Sequence, residues 1–206
     1  AVISMGSASR GALYALQGHG FNDITVYTRR PSYLTIDKIP GIQYQQITKN
    51  AAGLIEVIGC NGDKMPFANE LADADIIVNG VLQNPNDPDI YVGENDISKF
   101  KKPCLIIDIS CSLGMGFSFA RPTSFSDPIF KIGNIKYYAV DHTPSLLWNS
   151  ASWEISKGIL PYLSYIVEKS ENKVLKDATD IKDGKILNKD ILSFQNRTLT
   201  YPYKRL

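Results

Sequence analysis

The sequence predicts an α/β domain built on a Rossmann-like, doubly wound parallel sheet. Three observations carry this: an apolar first strand runs straight into a glycine loop and a helix, strands and helices alternate, and the strands are apolar without polar alternation. Ala1-Val2-Ile3-Ser4-Met5 is the opening strand. Residues 9–18 form the helix, with Ala12, Leu13, Ala15 and Leu16 as its sheet-facing side. Gly18-His19-Gly20 ends it, with His19 in a structural turn, and residues 24–27 are the next strand. The whole has the size of a right-handed parallel crossover.

Further along, short strands are expected at 42–47 and 55–58. Residues 66–74 read as a helix with Pro66 in its first turn. Residues 75–80 form a strand emerging into a loop, and the Asn-, Asp- and Pro-rich stretch 84–96 is surface loop. A short helix near 96–100 precedes a buried strand at 104–110, and another strand lies at 135–140. Residues 150–169 read as one strong helix, long enough to cross between domains, with Trp148 and Trp153 flanking its start and packing at the interdomain face. The expected division is a dinucleotide-binding domain over 1–145. Residues 146–206 are then a connecting helix and C-terminal segment.

Composition narrows the partners. The 206 residues, 44% hydrophobic and 21% charged, suit one large globular domain or a domain with an appendage. A net charge of +1 offers nothing to attract nucleic acid or an acidic membrane. No apolar run reaches the roughly 18–20 residues of a membrane span. Cys60, Cys104 and Cys111 lack metal-ligand spacing and read as reduced structural cysteines of a cytoplasmic protein with no metal site. The chain opens directly on a core strand, without an initiator methionine or lead-in. The expectation is therefore the C-terminal part of a longer protein.

The loop Gly6-Ser7-Ala8-Ser9-Arg10-Gly11 reads as a G-x-G-x-x-G variant with alanine in the middle. In that pattern the first glycine permits a tight turn, the second lets backbone approach a pyrophosphate, and the third allows close helix packing. The helix N-terminus offers free N–H groups to the anion, and Ser7 and Ser9 could add hydroxyls. The second strand ends Thr28-Arg29-Arg30. An NAD-specific site usually has an acidic residue there, whereas a hydroxyl and two guanidinium groups suit a 2′-phosphate. The expected cofactor is NADP(H).

Three later segments carry a family resemblance: Ile107-Asp108-Ile109-Ser110-Cys111, then residues 114–123, then Tyr138-Ala139-Val140-Asp141-His142-Thr143-Pro144-Ser145. The chain resembles the alanine dehydrogenase, saccharopine dehydrogenase and transhydrogenase superfamily, and within it the N5-(carboxyethyl)ornithine synthases. The resemblance implies a reductive condensation of pyruvate with the side-chain amine of L-ornithine, using NADPH, in a homodimer or higher homo-oligomer. It implies that the lysine and histidine acting on substrate come from an N-terminal half outside this chain, belonging to a substrate domain on which residues 146–206 pack. Carried over position by position, Ser7, Ala8 and Ser9 meet the pyrophosphate and Thr28, Arg29 and Arg30 the phosphorylated ribose. Gly80, Val81 and Leu82 pass the adenosine-side ribose, and Val140, Asp141, His142 and Thr143 line the nicotinamide end. Asp141 and His142 are the catalytic candidates, since histidine titrates near neutrality.

One departure stands out: where relatives carry an acidic residue after the Asp-Ile-Ser segment, this chain has Ser112-Leu113-Gly114. Two alternatives therefore stay open. One is an alanine or saccharopine dehydrogenase-like enzyme with another amino-acid substrate. The other is a non-catalytic NADP-binding module.

Overall fold

In the computed structural model, residues 1–84 and 86–206 are described; Pro85, inside the loop expected at 84–96, lies outside them. The chain divides into two compact units, Ala1–Asp141 and His142–Leu206. The break falls a few residues before the sequence-based boundary at 145.

The first unit is a nine-stranded sheet. Its strands are β1 (Val2–Ile3), β2 (Thr25–Thr28), β3 (Gln43–Lys49), β4 (Ile55–Ile58), β5 (Lys64–Pro66), β6 (Ile76–Asn79), β8 (Cys104–Asp108), β10 (Ile129–Ile132) and β11 (Ile135–Tyr138). A separate parallel pair joins β7 (Ile90–Val92) to β9 (Gly116–Phe117). The order across the sheet is β10-β11-β8-β6-β1-β2-β3-β4-β5. From β1 the chain winds one way through β2 and β3, then returns to the other side of β1 for β6, β8 and β11. The connections therefore reverse between β1 and β6, and ligands of open α/β sheets bind at the carboxyl ends of such strands.

Although β1 has only two residues, both are fully buried and it pairs in parallel on both sides, with Val2 opposite Val26 and Val78. Successive side chains of a strand point to opposite faces. Val2 accordingly packs with Leu13, Ile24, Val26 and Val78 beneath helix α1 (Ser7–Gly18). Ile3 joins the opposite cluster with Phe67 and Leu71 of helix α2 (Phe67–Leu71), Ile77, Ile106 and Tyr137. Aromatic rings tie that second face together. Centroids lie 4.9 Å apart for Tyr27–Phe67, 5.7 Å for Phe67–Tyr91, 6.3 Å for Tyr91–Phe117 and 5.8 Å for Phe117–Tyr137.

The predicted α/β class and parallel core are present, but the sheet edges differ. β3, β4 and β5 form an antiparallel meander, and β10 pairs antiparallel with β11. Strand β5 (Lys-Met-Pro) has no apolar run to read in the sequence, whereas β10 (Ile-Phe-Lys-Ile) has one, short and only half-buried. Pro66 closes β5 and stands just before α2 rather than inside its first turn.

The second unit opens with a 3₁₀ turn (Thr143–Leu147) and helix α3 (Trp148–Ile159), followed by a second 3₁₀ turn (Leu160–Tyr162) and α4 (Leu163–Glu168). The single helix expected over 150–169 is thus interrupted. Pro161 lies in the break, where it has no N–H to donate and its ring obstructs continued α-helix. Trp148 and Trp153, expected at an interdomain face, are 69% and 64% exposed in this chain. Helix α5 (Lys173–Asp177), the hairpin of β12 (Ile181–Lys182) and β13 (Lys185–Ile186), and α6 (Lys189–Phe194) complete the unit. Asn172 and Asn188 cap the two helices through their side-chain oxygens.

Candidate nucleotide site

The loop after β1 does what the fingerprint requires, but through different residues. The positive-φ turn is made by Ser4, with φ of 91°, and Gly6 stands as the extended residue that begins α1. The close helix–strand approach falls on Ser9. That side chain is fully buried, and its Oγ would lie 2.3 Å from a Cβ placed on Gly80. Ser4, Gly6 and Ser9 have the same one-three-six spacing as Gly6, Ala8 and Gly11. The expected frame is therefore displaced by two residues. Gly11 is exposed, and a Cβ there would meet nothing within 4 Å. Ala8 is exposed on the first turn rather than the middle member of the fingerprint.

Hydroxyl use also differs from expectation. Ser9 Oγ donates to the Ile3 carbonyl at 3.3 Å, inside the core, so it is not presented to an anion. Ser7 and Ala8 remain exposed at the start of α1. Here Arg10 N–H closes the first helical bond to Gly6 O at 2.9 Å.

Beside the loop lies a cavity of about 570 Å³, with Gly6, Arg10, Thr28, Arg29, Arg30 and Val81 in its wall. The three arginines differ in what holds them. Arg10 Nη1 donates to the Asp37 carbonyl at 3.0 Å and Nη2 to the Ile36 carbonyl at 3.4 Å. Arg29 pairs through Nη2 with Asp89, whose side chain is only 5% exposed. Lys49 Nζ approaches the other Asp89 oxygen at 3.4 Å and Asp87 at 2.7 Å. Gln83 seats Asp89 from both sides: its Oε1 accepts the Asp89 N–H at 2.6 Å, and its Nε2 donates to the Asp89 carbonyl at 3.2 Å. Arg30 is exposed, and its guanidinium has no polar partner among the described residues. The Thr28 hydroxyl donates to the Arg30 carbonyl at 2.7 Å, so it shapes the turn instead of facing outward.

This division gives a test by denaturation. Arg29→Ala strands a buried carboxylate and is expected to cost about 1–3 kcal/mol of stability. Arg30→Ala should stay within about 0.5 kcal/mol of the parent, as for other exposed positions. Equal effects in urea unfolding would refute the pairing.

Farther along the strand ends, Gly80 N–H donates to the Ile3 carbonyl at 3.2 Å, Val81 borders the cavity and Leu82 is 96% exposed. A buried polar cluster lies at the ends of β6, β8 and β11. Asn79 Nδ2 donates to Asp108 Oδ1 at 2.8 Å and Tyr137 OH to Asp108 Oδ2 at 2.5 Å, while Cys111 Sγ lies 3.5 Å from the same hydroxyl. Burial pushes the Asp108 carboxyl above its usual range against the pull of these hydrogen bonds. Burial, then the neighbouring Asp108 charge, likewise raises the Tyr137 hydroxyl far above a free phenol. Asp108 is thus a hydrogen-bonded internal carboxyl, as its place on a buried strand implies.

Val140 is buried and bridges in parallel to Thr123. Asp141 ends the first unit, exposed; His142, exposed and left-handed with φ of 58°, opens the second, followed by the half-buried Thr143. Ser112 is half-buried, and its carbonyl accepts the Met115 N–H at 3.0 Å in a turn. Arg10, Asp89, Lys49 and Tyr137 escaped the sequence reading. Only Arg10, inside the loop itself, left a local signal.

The donor set fits a dinucleotide: a crossover helix begins at the reversal point of a parallel sheet, beside a cavity with cationic walls. Residues 36–192 match the family described as alanine dehydrogenase/PNT, C-terminal domain, and the chain belongs to that family. Among individual relatives, it is similar to the N(5)-(carboxyethyl)ornithine synthase of Clostridium botulinum, 40% identical over 43% of this chain and 28% of that protein. It is also similar to alanine dehydrogenase 1 of Staphylococcus aureus, 24% identical over 62% of this chain and 36% of the relative. The chain therefore spans only part of its relatives' length. Among solved structures, an L-alanine dehydrogenase superposes with a TM-score of 0.67 at 15% identity, over 93% of this chain and 51% of that one. A transhydrogenase from Sinorhizobium meliloti gives 0.59 at 17% identity, over 81% and 44%. These likenesses establish the Rossmann-like fold. Among the described residues no helix is long and apolar enough to cross a membrane.

Proposed function

We propose that the first unit binds NADP(H) and is the cofactor-holding part of an oxidoreductase. The substrate is the imine formed from pyruvate and the side-chain amine of L-ornithine. The observation that carries the cofactor choice is the exposed Arg30 after β2, without a polar partner among the described residues, in the wall of a cavity that the start of α1 also lines. A guanidinium without an internal partner keeps its full fork for a 2′-phosphate. The likeness to the N(5)-(carboxyethyl)ornithine synthase supports the substrate.

When bound, the reduced nicotinamide supplies the hydride that turns the imine carbon into a C–H, while a proton completes the secondary amine. The chain's own residues do the holding. Ser7 and Ala8 offer backbone N–H groups to the pyrophosphate, Arg30 and Arg29 meet the ribose phosphate, and Gly80 and Val81 pass the adenosine-side ribose. Val140 and Thr143 flank the nicotinamide end, where Asp141 and His142 handle the proton. The protein works in the cytoplasm as a homo-oligomer.

A second reading, a cofactor-binding module without catalysis, draws on the neutral Ser112-Leu113 pair. Cofactor choice is testable on this chain directly. Calorimetric titration should show NADPH binding more tightly than NADH. Arg30→Ala should weaken NADPH by about tenfold, the loss of one charge-assisted contact, and leave NADH unchanged. Equal affinities in the parent would sink the NADP assignment.

A further inference from the structure

The turn at Ser4 combines two features that bear on how tightly the loop can hold a dinucleotide. The first is conformational. At φ of 91°, a backbone region comfortable only for glycine, this chain places a serine. The second is the hydroxyl, which accepts the Gly6 N–H at 3.1 Å and lies 3.5 Å from where a Gly6 Cβ would stand. Ser4, Met5 and Gly6 are consecutive in the wall of the cavity.

The backbone around this contact is pinned. Ser4 N–H donates to the Tyr27 carbonyl at 2.9 Å, which ties the turn to β2, and Gly6 O is taken by Arg10 N–H. The Ser4 side chain is the element left to rotate. We propose that the Ser4 hydroxyl competes with the cofactor's pyrophosphate for the Gly6 N–H, making Ser4 the residue that sets the affinity of the loop. A phosphate oxygen outbids a neutral hydroxyl, because charge-assisted hydrogen bonds are roughly twice as strong as neutral ones. Binding therefore proceeds, but at the cost of breaking an existing bond. This inference rests on the dinucleotide reading above.

The test uses the full chain with Ser4→Ala and Ser4→Gly, titrated calorimetrically with NADPH and with NADH, alongside thermal unfolding. Both variants release the Gly6 N–H, so both should bind each dinucleotide about three- to tenfold tighter, the worth of one net hydrogen bond. The ratio between the two dinucleotides should not move, because both carry the same pyrophosphate. Only Ser4→Gly should raise the unfolding midpoint, since alanine keeps a Cβ at the positive φ. Weaker binding by Ser4→Ala would show the hydroxyl to be a ligand and overturn the proposal, as would unchanged affinity in both variants. If neither dinucleotide binds the parent or the variants, the dinucleotide reading itself fails.

Discussion

Gly80→Ala is expected to be among the most damaging single-methyl changes in the chain, costing about 2–3 kcal/mol by overpacking. The reason is distance, not backbone conformation. The new Cβ would sit 2.3 Å from Ser9 Oγ and 3.4 Å from the Ser9 backbone nitrogen. Ser9 is fully buried with its hydroxyl bonded to Ile3 O, so it has no space into which to turn. The end of β6 and the first turn of α1 must then separate, and dinucleotide affinity should fall with stability. Removing the opposing oxygen offers a rescue: Ser9→Ala with Gly80→Ala leaves 3.4 Å as the nearest approach and should recover most of the loss. Urea unfolding of the two single variants and the pair measures this as a coupling energy. An alanine at position 80 that leaves stability within about 0.5 kcal/mol of the parent would refute the close approach.

The second large effect concerns Asp108. Truncation to alanine abandons the Asn79 amide and the Tyr137 hydroxyl, two donors at a buried position, at about 1–3 kcal/mol each. Asp108→Asn is a different experiment. Its oxygen can still accept from Asn79, and its amide can donate to the Tyr137 oxygen, so the geometry survives while titration is abolished. Burial raises the folded-state pKa of Asp108 above the unfolded value near about 3.9. A carboxyl with a raised folded pKa favours the folded state below the unfolded value. That stability is lost as pH rises through the folded pKa, because the folded protein must then hold a buried charge. The asparagine variant should therefore gain on the parent progressively from about pH 4 upward. A stability difference that stays flat from pH 4 to pH 8 would show that Asp108 is not perturbed in this direction.

These two sites show where sequence reading reached and where it stopped. The first crossover, the loop after β1, the arginines ending β2 and the glycine after β6 were all legible, because each is a local pattern of apolar period, glycine and charge. The frame of the phosphate loop was not. Ser4-Gly6-Ser9 and Gly6-Ala8-Gly11 share one spacing, and only the backbone shows that the positive-φ turn falls on Ser4. The unbroken helix over 150–169 was read through Pro161, whose effect is local and was available. The edge strand β5 is exposed throughout and left no apolar run, while the apolar residues of β10 span only four positions.

Arg29 and Arg30 state the division most clearly. The sequence by itself determined that two cations follow β2, and that they stand one strand away from the start of the first helix. It could not separate them, for they are neighbours of the same type. The tertiary structure did: Asp89, sixty residues on, is buried and held by Gln83 where Arg29 can reach it, leaving Arg30 unpaired among the described residues. Strands and loops follow from short-range periodicity and backbone preference. Which polar group remains free for a ligand depends on partners brought together only by folding.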